Sequence, residues 1–81
     1  MDTKVAVIGI IVETMSVVEK LNSTLHQYAD FIIGRLGIPY RPKNLHVISI
    51  VIDAPQKVID ELSGKVAAID GIRVETTCSV I

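Results

Sequence analysis

Two histidines, one cysteine and a short arginine- and glycine-bearing run hold whatever chemistry this 81-residue sequence has. Arg35 stands between Gly34 and Gly37, with Tyr40 and Arg41 close behind. A guanidinium fork can hold a carboxylate or phosphate through two parallel hydrogen bonds. Glycines beside it either let such a ligand approach the backbone or permit a bulge in an edge strand. His26 falls at the end of a helical pattern, where a cationic side chain suits the helix C-terminus and where a ligand role is the sharper alternative. His46 opens an apolar strand, and Cys78 sits among small polar neighbours, which points to packing. No nucleophile, base and orienting group can be brought together from their spacing, and the sequence has no phosphate-binding loop. The sequence therefore predicts no catalytic residues, with catalysis in a cleft between subunits the weakest of the functional readings.

The elements that must position these residues are those of one small domain, residues 1–81. At this length only about 60 to 65% of the unfolded surface is buried by a monomer. Yet 49% of the residues are hydrophobic, with one Phe and no Trp, so the apolar content is chiefly Val, Ile and Leu. Eight basic and nine acidic residues give a net charge of -1, and no basic cluster exceeds Arg41-Pro42-Lys43, so no nucleic-acid footprint is expected. The longest uncharged apolar run, Val5 to Val12, is far short of the ~20 residues a bilayer span needs, and the start lacks a signal peptide's pattern. We expect a cytoplasmic protein with no membrane partner. A single cysteine excludes an intrachain disulfide and a cysteine-rich metal site within one chain.

Lys4 to Val12 is rich in β-branched residues and reads as a strand, with no upstream domain expected. Ser16 followed by Glu19 has the spacing of a capping box, so a helix should begin there and run to about Tyr28. Its apolar stripe is Val17, Val18, Leu21, Leu25 and Tyr28. Between Asp30 and Pro42 the prolines confine any strand to a sheet edge, ending near Pro39. Pro42 to Asn44 makes a turn, and Leu45 to Ala54 is a second long apolar strand. Pro55 suits a first helical turn, and Val58, Ile59, Leu62, Val66 and Ile69 form the stripe of a second helix, stopped by Asp70-Gly71. Ile72 to about Val80 alternates, with Ile72, Val74, Thr76 and Cys78 on one side.

The order β-α-β-β-α-β, with a right-handed crossover in each half, is that of a ferredoxin-like α+β sandwich: a four-stranded antiparallel sheet with two helices on one face. In that topology the first and third strands are central, which fits the two strands that are apolar on both alternating faces. Either choice of inward face leaves several Val or Ile side chains on the open side, more than a monomer usually exposes. A homo-oligomer is therefore expected, as dimer or tetramer.

The stretch TLHQYADFIIGRLGIPYRPKNLHVISIVIDAP, with VIDELSGKVAAIDGIRVET and the opening VAVIGIIVE, resembles the conjectured iron-only hydrogenase system regulators, an ACT-like family of stand-alone ferredoxin-like domains. The resemblance spans nearly the whole chain. Its most specific parts are His26 to Asp30 leading into Ile33 to Arg41, and Leu62-Ser63-Gly64-Lys65. The same fold is similar to the C-terminal domain of nickel-responsive transcriptional regulators. There His26 falls where that family has its first metal-binding histidine, four residues before a shared aspartate, Asp30. The strand histidines of that site fall on Gly37 and Pro39, which cannot ligate through a side chain, so no metal and no cofactor is expected. The DNA-binding part of those regulators is missing.

The resemblance implies a non-enzymatic regulatory or sensory module of the hydrogenase system in anaerobes, binding a small molecule or a hydrogenase-system protein at a subunit interface. The candidate ligand-binding residues are His26, Asp30, Gly34, Arg35, Gly37, Tyr40 and Arg41. The alternative is a structural adaptor or assembly protein without a ligand.

Overall fold

The computed structural model describes residues 2–80. Four strands, β1 (Lys4–Val12), β2 (Ile32–Tyr40), β3 (Leu45–Ala54) and β4 (Ile72–Cys78), form one sheet in the order β2-β3-β1-β4. All neighbours are antiparallel. Helix α1 (Val18–His26) joins β1 to β2, and α2 (Gln56–Ala67) joins β3 to β4. This is the ferredoxin-like architecture, with the two doubly apolar strands at the centre. Proline-bearing β2 lies at an edge, where the missing amide of Pro39 removes no ladder bond from a central strand.

The side-chain period of a strand, two residues, divides β1 into two rows. Ala6, Ile8, Ile10 and Val12 are fully buried under the helices, and Ile48, Ile50, Ile52 and Ala54 of β3 continue that layer. Leu21, Leu25 and Tyr28 cover it from the first crossover; Ile59, Leu62, Val66 and Ile69 cover it from the second. These residues belong to the two stripes read from the sequence, although Val17, Val18 and Val58 are only half-buried, and Ile69, like Tyr28, follows the end of its helix. The opposite row, Val5, Val7 and Ile11, is left 40 to 45% exposed, beside Leu36, Ile38 and Tyr40 of β2.

Three local readings differ from the structure. No capping box forms at Ser16: the chain turns two residues earlier, in a 3-10 turn over Met15–Val17, and α1 starts at Val18 with no side-chain cap. The Glu13 amide is already held by the Gly71 carbonyl at 2.8 Å, so the strand end is pinned and the tight turn must follow at once. Helix α1 likewise stops at His26, and Tyr28 joins the core from the following turn. Strand β4 stops at Cys78 rather than near Val80. Gly71 does take the left-handed conformation, at φ 82°, and Asn44 takes it at φ 53° after a 3-10 turn over Arg41–Lys43.

The two helices meet at their C-terminal ends through Lys65, whose Nζ lies 5.1 Å from the centre of the Tyr28 ring and 3.3 Å from Gln27 Oε1. Hydrogen bonding to Tyr28, then its charge, raises the Lys65 pKa above its ordinary 10.5. A raised folded-state pKa means that the folded chain holds this proton more tightly, so the contribution is whole below pH 10.5 and fades as pH rises through the higher folded value. Thermal melts should therefore show a small alkaline decline that Lys65→Met removes. The same decline in wild type and variant would refute the contact.

Candidate functional site

A bulge decides where the arginine points. Strand β2 pairs Ile32 with Ile52, yet Gly34 with Val51, so Ile33 is the extra residue between them. Directly paired residues of antiparallel strands share a face. Past the bulge, Arg35 lies opposite Ile50 and Gly37 opposite Ile48, which puts both on the helix side. An unbroken register from Ile32 would have set Arg35 opposite Ser49, on the open face. Bulges are a recurrent means of re-aiming a side chain at a sheet edge.

On the helix side Arg35 meets α1. Its Nη2 donates to Asn22 Oδ1 at 2.5 Å, not to Asp30. Asn22 and His26 are four apart on one face of α1, and with Leu25, Ala29, Ile32 and Arg35 they line a cleft of about 360 Å³ between α1 and β2. Its floor is apolar and its polar groups sit at the mouth. Arg35 carries five N–H donors and spends one on Asn22 among the described residues, so most of its fork stays available to a ligand. A small anion entering the cleft would meet the Arg35 fork, with the Asn22 amide and the His26 ring beside it. Among the described residues, no three of His, Cys, Asp and Glu gather closely enough to hold a metal ion.

The other residues predicted for the site disperse. Asp30 lies in a 3-10 turn over Ala29–Phe31 beside the cleft, without lining it. Gly34 and Tyr40, opposite Val51 and Leu45, belong to the open face. Arg41 is in the turn after β2. Gly37 faces His46: a Cβ there would stand 3.6 Å from His46 Nε2, an ordinary contact. The Nδ1 atom of His46 is buried with no hydrogen-bond partner among the described residues. Hence one crevice holds His26 and Arg35 and cannot hold all seven. Asn22 escaped sequence reasoning, although its spacing of four from His26 on the polar flank of the helix was the available signal.

Likeness to other proteins follows the fold. The protein TM1266 from Thermotoga maritima, described as uncharacterized, superposes with a TM-score of 0.90 at 29% identity, over 95% of this chain and 98% of that one. A formyltetrahydrofolate deformylase from Pseudomonas putida KT2440 matches with TM-score 0.64 at 15% identity, over 94% of this chain and 28% of that one, a likeness of fold to part of a larger enzyme. A nitrogen regulatory PII-like protein, CPII, from Thiomonas intermedia K12, solved with ADP, AMP and bicarbonate, matches with TM-score 0.50 at 17% identity, over 98% and 99% of the two chains. No curated protein matches the chain. Residues 4–76, from the first strand into the last, match the TM1266-like family, whose members are described as conjectured iron-only hydrogenase system regulators, and the chain belongs to that family.

Proposed function

We propose that the chain is a non-enzymatic regulatory module of the iron-only hydrogenase system, and that it senses a small carboxylate or phosphate in the cleft between α1 and β2. The observation that carries this reading is the bulge at Ile33, which turns Arg35 from the open face onto Asn22 and into a cleft shared with His26. A structural arginine at a sheet edge needs no such detour, because pairing with a carboxylate outside the sheet would blunt the edge as well. Family membership supports the regulatory role. The PII-like neighbour is described with phosphate-bearing and carboxylate-like ligands, but at 17% identity it supports the fold alone, and the anion reading stands on Arg35.

The test is a titration of the protein with inorganic phosphate, adenine nucleotides and small dicarboxylates, followed by amide chemical shifts. Saturable shifts are expected at Asn22, His26 and Arg35. A hydrogen bond to a charged group is typically worth about 1.5 to 3 kcal/mol, so Arg35→Ala should weaken binding tenfold or more. Arg35→Lys keeps the charge but loses the fork and should recover only part of that loss. Shifts elsewhere on the surface, or unchanged affinity in Arg35→Ala, would sink the reading.

The adaptor reading, a module that works by contact and without ligand, is favoured by one observation, the exposed apolar row of Val7, Ile11, Leu36 and Ile38. That row lies across the sheet from the cleft, so contact and sensing are compatible in one chain.

A further inference from the structure

Gly9 occupies the middle of the central strand β1, between Ser49 of β3 and Glu75 of β4. Glycine inside a strand weakens it relative to alanine, so it calls for a reason. None lies within the chain. Gly71 is the glycine with positive φ, and the ladder runs without a shift through Ser49, Gly9 and Glu75. A Cβ at Gly9 would meet nothing nearer than the Glu75 carbonyl oxygen at 3.9 Å. What remains is a close approach from outside. The missing side chain leaves a depression of about 470 Å³ in the open face, lined among others by Ile11, Val47, Ser49, Arg73 and Glu75.

We propose that this face packs on a second copy of the same chain, and that the Gly9 depression receives a branched apolar side chain of that copy. Three observations favour a copy over another occupant. The same open face exposes branched residues on both β1 and β2, with Val7 45%, Leu36 58% and Ile38 46% exposed, so each copy carries both hole and knobs. Strand spacing of about 4.8 Å and a rise of about 3.3 Å per residue make the four-stranded face roughly 600 Å² in plan, before corrugation is added. That is close to the ~800 Å² per partner of a standard interface. The face also carries Arg73 and Glu75, of opposite sign, on one edge strand. A two-fold contact that sets residue i on j also sets j on i, so such a pair is self-complementary, whereas a partner surface of one sign would meet repulsion. Arg73 spends its Nε on Glu13 at 3.2 Å and, among the described residues, keeps its terminal amino groups for that contact. The interface is independent of the anion cleft, which lies on the opposite face.

Sedimentation of the full chain at micromolar concentration tests the proposal, with wild type expected as a dimer or larger. Gly9→Leu fills the depression from β1 and Ser49→Leu fills it from β3; each should weaken association tenfold or more while far-UV dichroism stays unchanged. Gly9→Val should not lower the melting temperature of the dissociated chain, because the added methyls enter open space and favour the strand. A monomeric wild type, or filled variants that associate as tightly as wild type, would overturn the proposal. Should Gly9→Leu fail to fold, Ser49→Leu decides alone.

Discussion

Replacing Ile8 by alanine should remove about 2 to 5 kcal/mol from the unfolding free energy, a large share of the 5 to 15 that small domains possess. Ile8 is fully buried at the centre of the sheet, opposite Ile50 on one side and Thr76 on the other, beneath both helices. The loss combines the transfer of the deleted methyl groups with a cavity that the surrounding rigid, β-branched layer cannot close. The contrast that makes the prediction specific is Val7, one residue away and 45% exposed on the other face. In urea titrations at a dilution where the chain is dissociated, Val7→Ala should cost well under half as much as Ile8→Ala. Equal losses would mean that the two faces of β1 are not inside and outside as described. If the open face is an interface, raising the protein concentration restores a cost to Val7→Ala by mass action and leaves the Ile8→Ala difference in place.

A second large loss is expected at Gly71. Its φ of 82° is a conformation that costs a side-chain-bearing residue roughly 1 to 2 kcal/mol. A Cβ there would also stand 2.6 Å from Thr14 Oγ1 and 2.8 Å from Thr14 Cβ. Rotation about χ1 of Thr14 moves the hydroxyl but not its Cβ, so the clash can be relieved only by parting the two loops. Those loops are joined by the Glu13 amide on the Gly71 carbonyl and by the Arg73–Glu13 ion pair. Gly71→Ala should therefore destabilise by about 2 to 3 kcal/mol, in the upper range of point mutations away from the core. A double-mutant cycle separates the two causes: with Thr14→Gly in the background, the overlap vanishes and only the conformational part remains. A cycle with no coupling would show that the loops do not touch at this point.

Much of this architecture was legible from residue order because the decisive signals are local. The two runs Val5 to Val12 and Leu45 to Ile52 are apolar in both alternating rows, which placed them at the centre of the sheet. Pro39 placed β2 at its edge, and Asp70-Gly71 placed the end of the second crossover. The stripes of both helices followed from a period that any amphipathic helix must keep. The capping box at Ser16 misled because the same residue types serve a tight turn when the preceding strand end is pinned, and the Gly71 carbonyl that pins it lies far along the chain. The candidate site is legible in part: His26 and Arg35 share a cleft, whereas Asn22 joins it only through the fold, which brings α1 against β2. Gly34 and Tyr40 stand close to Arg35 in sequence yet lie on the opposite face.

By itself, then, the sequence determined the order of elements, which strands are central and that one sheet face is left without cover. It could not say which face. A two-residue period marks an inner side only when the two rows differ in polarity, and Val5, Val7 and Ile11 are as apolar as Ala6, Ile8 and Ile10. The choice fell to the tertiary structure, where both crossovers lay their helices on the same side and bury the even-numbered row of β1. It also fell to one extra residue at Ile33. Past that bulge every side chain of β2 changes sides, so a single unpaired position sends Arg35 to the helix and its cleft instead of the open sheet.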